Sequence, residues 1–230
     1  MAPLRRTSLA VGVLYLVTHA TSVVATVLYA PLLGGASGSV VHGAARTGAL
    51  LEVVLALSVV GTAVGLYPVV KRSGAAFALG HVALRTLEAA IILTGVASVL
   101  ALDAARGAEP AGGGPVTAAL VALHDATFLL GPNVVLIAST ALLAILLLRS
   151  GLVPRWIPIL GLVGCASLLA SAMGILYGLI PQVSAAGGIA AAPMFAWELS
   201  LALYLLIVGM RESAPAHTAT PDAPAHVRTE

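Results

Sequence analysis

Apolar residues along this chain gather into six long runs, at about 9–30, 47–70, 75–102, 116–148, 156–180 and 189–210. A helix needs roughly 20 apolar residues to cross the hydrocarbon core of a bilayer. The first, second, fifth and sixth runs meet that length, and the third is somewhat longer. The fourth, at 33 residues, would measure about 50 Å as a helix, too long for one straight crossing. It contains Gly131-Pro132-Asn133, and an internal proline removes a helical hydrogen bond and kinks the helix. The pattern predicts one kinked helix there, the alternative being two half-length elements and seven in all.

Basic residues decide between these counts, because they favour the cytoplasmic side of a membrane. Arg5 and Arg6 precede the first run, Lys71 and Arg72 join the second and third, Arg149 and Arg155 join the fourth and fifth, and Arg211 follows the sixth. The opposite connections hold Arg46 at the lip of the second run, then Asp103, Arg106 and Glu109, and finally uncharged residues such as Gln182. Six crossings place every basic cluster on one side; a seventh breaks the alternation. The expected fold class is all-α, a polytopic membrane protein with six transmembrane helices and both termini cytoplasmic.

The run from Leu9 is too long for a signal-peptide core and reads as an uncleaved first helix, with Arg5-Arg6 as its topology anchor. Gly61-x-x-x-Gly65 and Gly174-x-x-x-Gly178 permit close helix approach and read as internal packing rather than a dimer interface. The loops Gly34–Gly43 and Gly107–Pro115 read as flexible from their composition. Residues 1–212 form the predicted transmembrane domain. Residues 213–230, rich in Pro, Ala, Thr and charge, form a disordered cytoplasmic tail.

Composition agrees: 60% of residues are hydrophobic and only 9% are charged, whereas a soluble domain is about a quarter charged. The lipid bilayer is the first partner. A net charge of +2, carried singly or in pairs at run ends, is no nucleic-acid footprint. Cys165, the single cysteine, cannot form an internal disulfide and reads as a small buried hydrophobe. Ten arginines against one lysine, with abundant Ala, Gly and Val, suggest a GC-rich bacterial genome and hence the bacterial inner membrane.

Candidate chemistry lies in the ionisable residues inside the runs. Glu52, Glu88, Asp125 and Glu198 share them with Arg85, His19, His81 and His124. A charge at bilayer depth costs about 3 kcal/mol on insertion scales and is tolerated when it faces protein or water. His81, Arg85 and Glu88 are spaced i, i+4, i+7 and therefore share one helix face. Glu52, Asp125 and Glu198 all fall in the outer half of the bilayer, and Glu88 approaches that zone from the middle. The candidate intramembrane polar site is therefore Glu52, His81, Arg85, Glu88, His124, Asp125 and Glu198.

Four carboxylates against one arginine need further positive charge, supplied by protons, a metal or a cationic ligand. His124-Asp125 combines groups able to act as metal ligands or as acid and base, but helix neighbours point about 100° apart. No H-E-x-x-H spacing, nucleophile elbow or phosphate loop is present, and no cofactor is expected. His19 reads as a hydrogen-bonded packing residue, and His42, His217 and His226 receive no role. Trp156 reads as an interfacial anchor, Trp197 as an anchor or part of the polar wall.

The strings LLEVVLALSVVGTAVGLYPVVKR (50–72), ALRTLEAAIILTGVASVL (83–100), LHDATFLLGPN (123–133), RSGLVPRWIPILGLVG (149–164) and FAWELSLALYLLIVGM (195–210) resemble the bacterial membrane-protein family known as domain of unknown function 4386. The resemblance covers about Leu9 to Arg211. It implies a multi-span bacterial membrane protein and supplies no activity. The favoured expectation is a non-enzymatic protein whose polar interior binds or passes a small solute, ion or proton, with a small molecule or lipid as ligand. Two alternatives stand beside it: a structural or regulatory subunit with a charge-locked bundle, and an intramembrane lipid-modifying enzyme.

Overall fold

Helices built from these runs form the whole regular structure of the computed structural model, which describes residues 3–106, 113–182 and 184–211. Seven α-helices follow one another: α1 (Pro3–Leu33), α2 (Ser39–Val70), α3 (Ala75–Arg106), α4 (Pro115–Leu129), α5 (Leu136–Ser150), α6 (Trp156–Leu176) and α7 (Ala185–Ile207). A 3-10 turn at Lys71–Ser73 ends α2, and a π-helical turn at Leu130–Val135 joins α4 to α5. Through that turn Pro115–Ser150 is one uninterrupted span, so six helical segments are long and apolar enough to cross a membrane. The chain is an all-α, multi-pass membrane protein. Residues 213–230, expected as a tail, and most of the Gly107–Pro115 loop lie outside the described residues.

The first three helices are longer than the apolar runs that mark them, at 31, 32 and 32 residues. Each measures about 47 Å at 1.5 Å per residue, against a hydrocarbon core of about 30 Å. Hydropathy marks only the part in lipid, while backbone hydrogen bonding continues through charged ends. The Gly34–Gly43 loop is correspondingly shorter than expected, because α2 begins at Ser39. Asp103, expected in a connection, lies on the last turns of α3 and is buried.

The predicted kink takes the form of the π turn. Pro132 has no N–H to give the Phe128 carbonyl four residues back, and the Asn133 side-chain amide donates to that carbonyl instead, at 3.0 Å. π turns of this kind widen a helix locally without ending it. Gly131 admits the neighbouring helix, since a Cβ there would lie 3.0 Å from Ile91 of α3.

The six spans form a closed ring in which each packs on its sequence neighbour and α7 returns to α1. Closure is pinned by Arg5, which donates to the carbonyls of Leu205 at 3.1 Å and Leu206 at 2.7 Å. A cation at a helix C-terminus satisfies carbonyls that have no helical donor and complements the helix dipole. Ser8 adds a bond from the Met210 N–H at 3.0 Å. The start of α1 and the end of α7 therefore share one end of the ring. Lys71, Arg72, Arg149 and Arg155 belong to the same end, where Arg149 lies over Phe77; it is called the basic end below. An apolar core including Val11, Leu66, Ala78, Leu147, Ile157 and Leu205 fills that half.

Small residues set the helix spacing. Gly61 and Gly65 face Leu14 and Val11 of α1, so this pair packs internally, as expected. Gly174 and Gly178 do not pack helices together. Gly178, at φ +69°, is the left-handed residue that ends α6, and the Leu179 N–H returns to the Gly174 carbonyl at 2.8 Å, a Schellman cap. On α6, Gly161 receives the Trp197 ring. Trp197 is thus a buried packing residue, neither anchor nor polar wall. Trp156 is exposed at the first residue of α6.

A Cβ on Gly164 would lie 2.9 Å from the backbone N and Cα of Met194. Backbone cannot yield as a side chain can, so Gly164→Val is expected to destabilise by about 1–3 kcal/mol. Gly188→Ala, with open space around it, should stay within about 0.5 kcal/mol of the parent. Unfolding followed by circular dichroism in detergent checks the pair.

A polar cavity within the helix ring as candidate functional site

Arg85 and Glu88 are three residues apart on α3, which places both side chains on one face. Their partners come from across the ring. Arg85 Nη1 donates to both oxygens of Glu88, at 3.2 and 3.0 Å, and Nη2 donates to Glu198 Oε1 of α7 at 2.9 Å. Arg85 and Glu88 are 4% and 3% exposed, so the guanidinium is a buried bridge between two carboxylates. The other Glu198 oxygen lies 3.8 Å from His19 Nε2 of α1. His19 is held in place because its Nδ1–H donates to the Tyr15 carbonyl at 2.9 Å. Beneath it the Tyr15 ring centre lies 6.0 Å from the guanidinium carbon. Arg85 Nε and the Tyr15 hydroxyl are buried with no hydrogen-bond partner in the protein, the usual position of an ordered water.

This cluster floors a cavity of about 380 Å³, within the range of small-molecule sites. Leu55, Ile92, Phe128, Leu168, Met194 and Phe195 supply apolar wall, and Pro132 and Asn133 of the π turn border it. Gln182, Ser184 and Gly187 lie towards the end opposite the basic one. Gln182 also donates to the Asp125 carbonyl at 2.9 Å, tying the α6–α7 connection to α4.

Glu52 of α2 lines the same cavity from another side. No arginine, lysine or histidine among the described residues pairs with it. The Tyr29 hydroxyl lies beside it, buried and without a completed hydrogen bond. His124 packs edge-on against Tyr29, with ring centres 5.8 Å apart, and shares a narrow side recess with Glu52 and Thr127.

Of the seven residues marked by sequence, Glu52, Arg85, Glu88 and Glu198 line one cavity, and His124 borders its recess. His81 does not reach it; it is buried, and its Nδ1–H donates to the Ser139 carbonyl at 2.9 Å, tying α3 to α5. Asp125 is outside the cavity with its side chain 53% exposed, its Oδ1 lying 3.5 Å from His124 Nδ1. Two features were not anticipated. His19, read as packing, contributes to the cavity. At the end of the ring opposite the basic one, the buried Asp103 accepts from Arg46 Nε at 3.0 Å and pairs closely with His42, clasping α2 to α3. Asp103 on the same face of α3 as Glu88 and Arg85, at spacings near whole turns, was the available signal. Cys165 is buried, as expected, and its thiol contacts the Ile137 carbonyl at 3.4 Å. No three His, Cys, Asp or Glu side chains among the described residues are grouped to hold a metal ion.

The family profile described as a domain of unknown function (DUF4386) matches residues 10–209. The chain belongs to this family. No curated protein and no solved structure matches it. The matched region spans α1 to just beyond α7, so every cavity-lining residue lies inside the DUF4386 domain.

Removing one partner of a buried ion pair leaves an uncompensated charge and costs about 3–5 kcal/mol, whereas replacing the whole network is often near neutral. Arg85→Met is therefore expected to destabilise the protein strongly. Adding Glu88→Gln and Glu198→Gln should recover much of that loss, which thermal unfolding of the single and triple variants in detergent would reveal.

Proposed function

We propose that this DUF4386 member binds a small solute in the intramembrane cavity and passes it across the bacterial inner membrane. The observation that carries the reading is a cavity of about 380 Å³ at bilayer depth whose floor is a buried three-residue charge network. Ionisable residues at such depth are retained mainly where they face a pathway, a ligand or one another. The π turn bordering the cavity adds support, because π turns within α-helices are frequent at functional sites. The basic end faces the cytoplasm in this reading, and residues 213–230 form a cytoplasmic tail.

A charge-locked structural subunit would also use the Arg85 bridge, but it leaves the cavity and the unpaired Glu52 without a purpose. The lipid-modifying alternative relied on His124 with Asp125; the two side chains touch at 3.5 Å, but Asp125 does not line the cavity, which weakens it.

Ala191 lines the cavity, and Ala191→Trp would fill much of it. Native mass spectrometry of protein purified in mild detergent should show a stoichiometric organic mass on the parent that is lost in Ala191→Trp. Equal retention by both proteins would assign that mass to surrounding lipid. A parent with neither retained mass nor flux of any tested solute in liposomes would return the site to a structural role.

A further inference from the structure

Within the cavity, carboxyl groups outnumber cations, and their pairing is uneven. Arg85 commits Nη1 to Glu88 and Nη2 to Glu198, so both terminal nitrogens already face a carboxylate. An anionic ligand drawn to the guanidinium would meet the Glu88 and Glu198 carboxylates beside it and be repelled by both. Glu52 has no cationic partner among the described residues, and its one polar side-chain neighbour of note is the neutral, buried Tyr29 hydroxyl. We propose that the ligand is a small monovalent organic cation, an ammonium carried on an apolar body, with the Glu52 carboxylate as its counter-ion. This rests on the binding function proposed above and names the ligand class for the same cavity.

Three observations favour an organic cation over an inorganic one. Most of the surface exposed to the cavity is apolar, whereas a hard metal ion needs a shell of oxygen ligands. Phe128 and Phe195 border the space, and aromatic faces attract ammonium groups, adding to the apolar contact. The polar rim of Gln182 and Ser184 lies away from the basic end, so a cation entering there does not pass Lys71, Arg72, Arg149 or Arg155. An ammonium beside Glu52 would supply the positive charge that the cavity lacks, and its apolar body would lie against Leu55, Ile92 and Phe128.

The test uses reporter cysteines in the full chain, with Cys165 replaced by Ala, or by Ser if Ala does not fold. Ser22→Cys and Ser171→Cys both place a thiol in the lining. Each is treated with cationic trimethylammonioethyl and anionic sulfonatoethyl methanethiosulfonate, and rates are normalised to those for a free thiol. The cationic reagent should react at least about tenfold faster, the range in which a charged, low-dielectric cleft concentrates its counter-ion. Glu52→Gln should reduce that ratio several-fold while Glu52→Asp keeps it. 2-Phenylethylammonium should protect the thiols and phenylacetate should not.

Equal normalised rates at both positions would overturn the ligand class and leave the cavity reading standing. A high ratio unchanged by Glu52→Gln would overturn the counter-ion assignment. If neither reagent reaches either thiol although both label an exposed Ser39→Cys control, the cavity is closed and the binding function fails with the inference.

Discussion

Arg85 lies at a depth where lipid offers no hydrogen bonds, so the donors of its guanidinium must be satisfied by protein or trapped water. Glu88 is the near partner, one turn along the same helix, and Glu198 is the far partner across the ring. Holding both at once fixes the distance between α3 and α7, two helices that are not neighbours in the ring. That constraint keeps the centre open, because helices held apart by a charged bridge cannot collapse onto one another. His19 extends the bridge towards α1, and the cavity is the space left above it.

The two halves of the ring are consequently different materials. Towards the basic end, buried Leu, Val and Ile side chains form an apolar core, and glycines bring α6 against α7 and α2 against α1. Beyond Arg85 the spans surround the cavity, and the π turn at Leu130–Val135 joins α4 to α5 without a break. Asn133 makes this affordable by giving the Phe128 carbonyl the donor that Pro132 lacks.

Much of this was legible in the residues because lipid narrows the alternatives. Apolar length marked the six spans, and the rarity of charge inside them marked Arg85, Glu88, Glu52 and Glu198. Direction around a helix was harder to read. Asp125 and His124 are adjacent in sequence, yet only His124 borders the cavity recess, since no pattern of neighbouring polar residues told which side of α4 faced inward. His81 carried the same spacing signal as Arg85 and proved to be a tie to Ser139; periodicity gives the face but not the partner. Asp103 escaped notice because hydropathy ended α3 before the backbone did, and its pairing with His42 and Arg46 joins residues about sixty positions apart.

The Arg85 bridge also has a history in time. Its two carboxylates lie three and 113 residues away along the chain. At synthesis rates of about 5–20 residues per second, the far one emerges roughly 6–20 s after the near one. Through that interval Glu88 is the partner already in place on the same helix, so α3 can enter the bilayer partly self-neutralised. Arrival of α7 then completes the bridge as Arg5 receives the end of the same helix. The ring and its interior thus come into being together, as the last span is made.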